Sequence, residues 1–154
     1  MPPRALSLKS LRIAAGAAAL LLAQTAVAAE FRSVGEAGAV FYDAPSAQAK
    51  KLSVARRYYP VAVVVGLEQW VKVRDVSGDL EWVERRSLTE QRTVVVTAPR
   101  AQVRAAPDPA APLVFEAEKD VALLVLEIMN GDWVRVGHAD GQSGFVRAGE
   151  VWGL

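Results

Sequence analysis

Residues 131–154 read "GDWVRVGHADGQSGFVRAGEVWGL", and residues 68–88 read "EQWVKVRDVSGDLEWVERRSL". Each stretch passes from Trp-Val-basic-Val through a polar segment with glycine to an aromatic residue followed by valine. The matching positions lie 63 residues apart and are Trp70 with Trp133, Val71 with Val134, Val73 with Val136, Trp82 with Phe145, and Val83 with Val146. This spacing indicates that the chain carries one structural unit twice.

Both copies have the pattern of short β-strands separated by turns. Apolar and β-branched residues alternate or form short runs, and no stretch after residue 30 sustains a helical periodicity. The pairs Asn130-Gly131 and Asp140-Gly141 favour tight turns. Strands are predicted near 40–42, 51–54, 60–66, 70–74 and 80–84, and then near 93–97, 103–105, 114–116, 121–128, 133–137 and 144–147. Short 3₁₀ turns are predicted at 86–88 and 148–151.

The predicted fold class is therefore all-β, with two small β-barrels in tandem. Units of about 60 residues built from short strands and tight turns are typical of such barrels, and closure removes exposed sheet edges. We assign residues 30–91 to the first barrel and residues 92–154 to the second.

The N-terminus resembles a helical secretory signal peptide covering residues 1–29. Arg4, Lys9 and Arg12 precede an apolar stretch at 13–23, and small residues follow. Cleavage is expected after Ala28 or Ala29. A retained membrane anchor is the alternative, although the apolar stretch is short against the roughly 20 residues that a spanning helix needs. We expect a periplasmic protein, with an extracellular destination left open, that meets the membrane only through this segment before cleavage.

The amino-acid composition of the chain argues against several classes of function. Loss of the three basic residues in 1–29 leaves 15 lysines and arginines against 17 acidic residues, a net charge of −2. A net-acidic chain gives no support for nucleic-acid binding. The chain has no cysteine and one histidine, His138, which excludes disulfides and the usual kind of zinc site. We predict no metal and no cofactor.

The repeat resembles the bacterial SH3 (SH3b-type) domain family. The second copy carries an early "VRAAP" at 103–107, "WVRV" at 133–136 and "GFV" at 144–146, and the first carries "FYDAP" at 41–45, "WVKV" at 70–73 and "WV" at 82–83. Glu81 stands where the family has glycine, and Phe145 stands in place of tryptophan. The resemblance implies SH3-like barrels and, as partners, cell-wall peptides or other proteins.

Aromatic and basic residues of the first copy are the candidate ligand-binding site. Side chains alternate along a strand, so the valines of "WVKV" face the core and Trp70 faces outward or into a groove. The predicted site comprises Tyr42, Arg57, Tyr59, Trp70, Trp82 and Arg85. In the alternative interpretation, the tryptophans pack across a barrel end or between the copies, Tyr42 belongs to the core, and the basic residues are solvated.

Catalytic chemistry has little support. His138 and Ser143 have no partner at a spacing typical of a nucleophile and its base, and no phosphate-binding glycine loop is present. We therefore predict an exported protein that is not an enzyme and that binds cell-wall peptide of the peptidoglycan type. The alternative is a structural protein–protein interaction module in an envelope complex.

Overall fold

The structure is a computed structural model that describes residues 29–154. The first half contains strands β1 (Glu30–Val34), β2 (Ala39–Tyr42), β3 (Lys51–Ala55), β4 (Pro60–Gly66), β5 (Trp70–Arg74), β6 (Leu80–Glu84) and β7 (Leu88–Thr89). The second half contains β8 (Thr93–Val96), β9 (Arg100–Arg104), β10 (Leu113–Glu118), β11 (Ala122–Ile128), β12 (Trp133–Gly137), β13 (Ser143–Arg147) and β14 (Val151–Trp152). The predicted all-β class is confirmed, whereas residues 1–28 of the predicted signal segment lie outside the described residues.

The two halves form separate sheets with the same topology. The strand order is β3-β2-β6-β5-β4-β1-β7 in one sheet and β10-β9-β13-β12-β11-β8-β14 in the other. Each strand of the second sheet thus occupies the place of the strand seven numbers earlier. One 3₁₀ turn, at Arg85–Ser87 or Ala148–Glu150, leads into the last strand of each half. The structure therefore repeats one fold twice, as the sequence repeat predicts.

Each sheet encloses its own core of mostly valine. Val71, Val73 and Val83 are at most 2% exposed in the first barrel, and Val134, Val136 and Val146 are fully buried in the second. These are the inward valines that the alternation along each "WVxV" strand predicts. Burial of one valine side chain contributes on the order of 1.5–3 kcal/mol, and β-branched residues suit a pleated sheet. Packing of valine thus stabilises both barrels without disulfides.

Equivalent hairpins carry equivalent glycines. Gly78 lies between β5 and β6 with φ of 95°, and Gly141 lies between β12 and β13 with φ of 96°. A residue with a Cβ is strained in this left-handed region, so both turns favour glycine. The two turns therefore hold the central hairpins of the barrels in the same register.

Three strands of the structure, β1, β7 and β14, were not predicted from the sequence. β1 pairs with β4 and β7, and the short strands β7 and β14 pair with β1 and β8 respectively. In Glu30–Val34 the apolar residues Phe31 and Val34 are three positions apart and show no alternation, and the two-residue strands have too few positions to show one. These strands form because their partners, distant in sequence, supply the hydrogen bonds.

The barrels contact one another through β1 and the turn before β4 of the first barrel and through β8 and β14 of the second. The buried hydroxyl of Thr93 donates to the carbonyl of Tyr58 at 2.7 Å and lies 2.5 Å from the hydroxyl of Ser33. Phe31 and Trp152 pack edge to face with ring centroids 5.2 Å apart. A short linker and these buried contacts therefore set the orientation of one barrel against the other.

Within the described residues, no helix has the length and hydropathy needed to cross a bilayer.

Candidate functional site

Three aromatic side chains share the outer face of β2, β6 and β5. The Cα partner of Tyr42 is Trp82, and Trp82 is also paired with Lys72 on its other side. The rings of Tyr42 and Trp70 pack edge to face, with centroids 5.3 Å apart at 89°. Tyr42 is only 8% exposed, so its principal role is to support the half-buried Trp70.

Trp70 forms one wall of an open groove of about 810 Å³, which we call the Trp70 groove. The loop after β2 contributes Pro45 and Gln48 to the lining, and Gln69, Glu84 and Arg85 also line the groove. The groove offers an indole ring, side-chain amides and charges of both signs. Such a mixture suits an extended peptide with polar groups, because aromatic residues supply contact area and amides fix orientation.

Arg85 stabilises the loop that precedes Trp70. Its guanidinium donates to the carbonyl oxygen of Leu67 at 2.6 Å and to that of Glu68 at 3.1 Å. These bonds hold the loop between β4 and β5. Trp70 follows this loop directly as the first residue of β5. The structure thus places Arg85 at the predicted site with its donors already engaged in positioning the loop. Arg86 instead forms an ion pair with Glu84.

The other predicted residues fall elsewhere. Trp82 lies on the same outer face without lining the Trp70 groove, and the Nζ of Lys72 lies 5.8 Å from the centre of its ring. Arg57 and Tyr59 line a different groove between the two barrels. Arg57 is bound to Glu36 at 3.1 Å. The six predicted residues therefore do not form one site. Trp70 and Arg85 line the Trp70 groove, Tyr42 and Trp82 lie on the outer face beside Trp70, and Arg57 and Tyr59 line the groove between the barrels.

This second place, the inter-barrel groove, has a volume of about 700 Å³. Its polar lining includes Tyr59, Asp75 and Glu81 from the first barrel with Asp120 and His138 from the second. Burial raises the pKa of the Tyr59 phenol, and the negative charges of Asp75, Asp120 and Glu81 raise it further. Carboxylates from both barrels therefore surround one tyrosine.

Glu81 is the buried carboxylate of this groove, with 9% of its surface exposed. The pKa of its carboxyl is raised, mainly because the group is buried, and the negative charges of Asp75 and Asp79 add to this effect. The hydrogen bond from the Ser53 hydroxyl, at 3.1 Å, acts in the opposite direction. The charged form of Glu81 therefore destabilises the folded protein, since its pKa is higher when folded than when unfolded.

Replacement of Glu81 by glutamine is expected to raise the melting temperature by a few degrees at neutral pH. Above the raised pKa, Glu81 is charged in the folded protein and lowers the free energy of unfolding. As the pH falls through this pKa the carboxyl is protonated and the destabilisation disappears, so the rise in melting temperature of Glu81→Gln should be smaller in mild acid. Calorimetry at the two pH values measures this. The exposed Glu127→Gln provides the control, and an equal gain at both pH values would contradict the explanation.

The second barrel lacks the aromatic pair of the first. Arg104 occupies the position of Tyr42, and Phe145 that of Trp82, since Phe145 pairs with Arg104 as Trp82 pairs with Tyr42. The guanidinium of Arg147 lies 4.8 Å from the ring centre of Trp133 and covers it. The two barrels share a fold and differ at the face where the first presents Trp70.

Sequence reasoning missed several lining residues. Pro45 and Gln48 lie in the loop after β2, and Asp75 and Asp120 lie in turns where acidic residues are ordinarily solvated. His138 also lines the inter-barrel groove, and its Nδ1 lies 3.1 Å from a carboxylate oxygen of Asp140. The replacement of glycine by Glu81 was the one available signal.

Both barrels match the protein-family model described as bacterial SH3 domain, at residues 35–90 and 97–153. The chain belongs to the bacterial SH3 domain family. The match covers most of both sheets, and it explains the equal strand order of the two halves. The Trp70 groove belongs to the first of the two bacterial SH3 domains, where the loop after β2 and the loop before β5 both contribute to its lining.

Solved structures with similarity to this tandem bacterial SH3 chain include two proteins from Trichomonas vaginalis and one from Bacillus cereus. NlpC2 of T. vaginalis is 12% identical with a TM-score of 0.35 and is matched over 81% of this chain and 48% of its own. NlpC1 of the same organism is 13% identical with a TM-score of 0.37, over 80% and 45%. The B. cereus NlpC/P60 family protein is 17% identical with a TM-score of 0.38, over 80% and 56%.

The chain thus spans about half the length of these structures. No curated protein matches its sequence. Among residues 29–154, no group of three or more His, Cys, Asp or Glu side chains is arranged to hold a metal ion.

Proposed function

We propose that this protein is an exported, non-enzymatic binding protein that holds a cell-wall peptide of the peptidoglycan type in the Trp70 groove. The observation that carries the proposal is the half-buried Trp70, which is supported edge to face by Tyr42 and lines an open groove together with Pro45. A tryptophan that is held in place by its neighbours binds a partner with little loss of conformational entropy.

The charges of the groove support a peptide with polar and ionised groups. Glu84 and Arg86, which both line the groove, form an ion pair, and Gln48 and Gln69 contribute side-chain amides to the lining. Amide side chains both donate and accept hydrogen bonds, so they suit the backbone of an extended peptide. Membership in the bacterial SH3 family supports a wall-derived or protein partner in general.

Export and the absence of catalysis belong to the same proposal. The signal-like segment at residues 1–29 supports a periplasmic destination, where wall peptide is accessible. His138 contacts Asp140 and the ring of Phe115, and among residues 29–154 no serine hydroxyl is hydrogen-bonded to it. A binding role therefore accounts for the residues that are present.

Co-sedimentation with purified peptidoglycan sacculi tests the proposal. We expect the purified protein to enter the pellet and to be released by soluble muropeptides, which compete for the same groove. Recovery of all protein in the supernatant over a range of sacculus concentrations would contradict wall binding. Bovine albumin, which has no such groove, serves as the control for trapping in the pellet.

The second candidate is a structural role in an envelope protein complex. Leu52, Val54 and Leu80 of the first barrel are exposed, and a protein partner that covered them would remove their apolar surface from water. Retrieval of one stoichiometric protein from envelope extracts, with no wall material, would favour this role over the first.

A further inference from the structure

The inter-barrel groove is distinct from the Trp70 groove and is built from both barrels. Its apolar lining comes from Val54 and Ala55 of the first barrel and from Val121 and Ala122 of the second. A volume of about 700 Å³ accommodates an amino-acid side chain together with part of its backbone. The groove exists only because the contacts of Thr93 and Trp152 hold the barrels together.

Glu81 has no cationic partner in this groove. Among residues 29–154, none of the ion pairs involves Glu81. Its two oxygens lie 3.1 and 3.2 Å from the single hydroxyl of Ser53. One hydroxyl carries one proton, so Ser53 donates to one oxygen at a time, and no other group among residues 29–154 donates to this largely buried carboxylate. Buried carboxylates are ordinarily paired with a cation, so the missing partner points to a ligand.

Further negative charge converges on the same place. Asp75 and Asp120 line the groove from opposite barrels, and both act on the phenol of Tyr59 between them. Neither of the two arginines that line the groove forms an ion pair with Glu81, and Arg57 is bound to Glu36 instead. A tyrosine ring beside carboxylates is a favourable environment for an organic cation.

We propose that the inter-barrel groove binds a primary ammonium group carried on an aliphatic chain, with Glu81 as its counter-ion. The ammonium fills the empty donor position at Glu81 and interacts with Asp75 and Asp120. The aliphatic chain lies against Val54, Ala122 and the ring of Tyr59. Side chains of the lysine type have this chemistry. The inference does not rest on the function proposed for the Trp70 groove.

The repeat shows that Glu81 is not needed for the fold. Its counterpart in the second barrel is Gly144, and that barrel has the same strand order without a carboxylate there. A Cβ at Gly144 would lie 2.5 Å from the carbonyl oxygen of Arg104, so the second barrel has no room for any side chain at this position. The buried carboxylate is therefore a property of the first barrel alone.

Titration of the ¹⁵N-labelled protein with two lysine derivatives tests the proposal. Nα-acetyl-lysine amide carries the ammonium, and Nα,Nε-diacetyl-lysine amide has nearly the same shape without charge. We expect the first compound to shift the backbone amide signals of Ser53, Tyr59, Glu81 and Ala122, and the second to leave them in place. Equal shifts with both compounds, or none up to the solubility limit, would overturn the proposal.

Two variants locate the binding. Glu81→Gln keeps the shape and the hydrogen bond to Ser53, and should weaken binding of the ammonium compound at least about 10-fold, since loss of one member of a buried charge pair is costly. Asp120→Asn, whose asparagine tolerates the positive φ of 69°, should weaken it about 3-fold. Glu127→Gln removes an exposed charge and should leave it unchanged.

The outcomes separate the two grooves. Unchanged affinity of both Glu81→Gln and Asp120→Asn would overturn the proposal even if the ammonium compound binds somewhere else. Trp70→Ala should retain these shifts while losing wall binding. Loss of wall binding and loss of lysine binding therefore report on different sites.

Discussion

Replacement of Trp70 by alanine is expected to weaken the affinity for soluble muropeptides by about 10- to 100-fold, as loss of a central aromatic residue does at other interfaces. The indole is the largest apolar surface of the Trp70 groove, and Tyr42 holds it in one orientation. Isothermal titration calorimetry measures the change without relying on tryptophan fluorescence.

Trp133→Ala is the matched control, because Trp133 occupies the equivalent position and is covered by Arg147. Its affinity should remain within about 2-fold of the parent, a change of only a few tenths of a kcal/mol. Trp70→Phe retains the edge-to-face contact and should fall between parent and alanine variant. Equal losses from Trp70→Ala and Trp133→Ala, with both proteins folded by circular dichroism, would contradict the assignment of the groove.

Replacement of Gly144 by alanine is expected to lower the free energy of unfolding by about 2–3 kcal/mol, the range for overpacking a site that must shift backbone. A Cβ there would lie 2.5 Å from the carbonyl oxygen of Arg104 and 2.8 Å from a methyl of Val103. Both neighbours belong to β9, which pairs with β13 at this point. The substitution therefore separates two strands of the second barrel, and urea unfolding measures the loss.

Gly149→Ala provides the comparison for this effect. Gly149 lies in the exposed 3₁₀ turn Ala148–Glu150, and a Cβ there meets no atom within 4 Å. Its stability should stay within about 0.5 kcal/mol of the parent. If Gly144→Ala were equally mild, the close approach of β9 and β13 would not be a constraint on the sequence.

The fold was predictable because its main signals are local. The alternation in "WVKV" and "WVRV" places valines inside and tryptophans outside, and the burial of Val71 and Val73 confirms it. Turn glycines such as Gly78 mark the hairpins. β1 was not predictable in the same way, since its hydrogen bonds go to residues about 30 and 55 positions away.

The candidate sites were predictable only in part. Trp70 and Arg85 meet in one groove because both lie at the same end of β5 and β6. Tyr59 and Arg57 belong to the same barrel as Trp70 and Arg85. They line the inter-barrel groove instead, because the turn after β3 faces the second barrel. Asp120 and His138 reach this groove through the docking of two units, and periodicity within one unit contains no information about docking.

The hydroxyl of Thr93 joins the barrels through the carbonyl of Tyr58, and this has a consequence for polymeric ligands. With ligand groups in both proposed grooves, this joint would set the distance between the two bound groups. A strand whose binding groups repeat at that distance would gain avidity from occupying both, whereas one with another spacing would be held at a single point. The joint between the domains would then act as a molecular ruler.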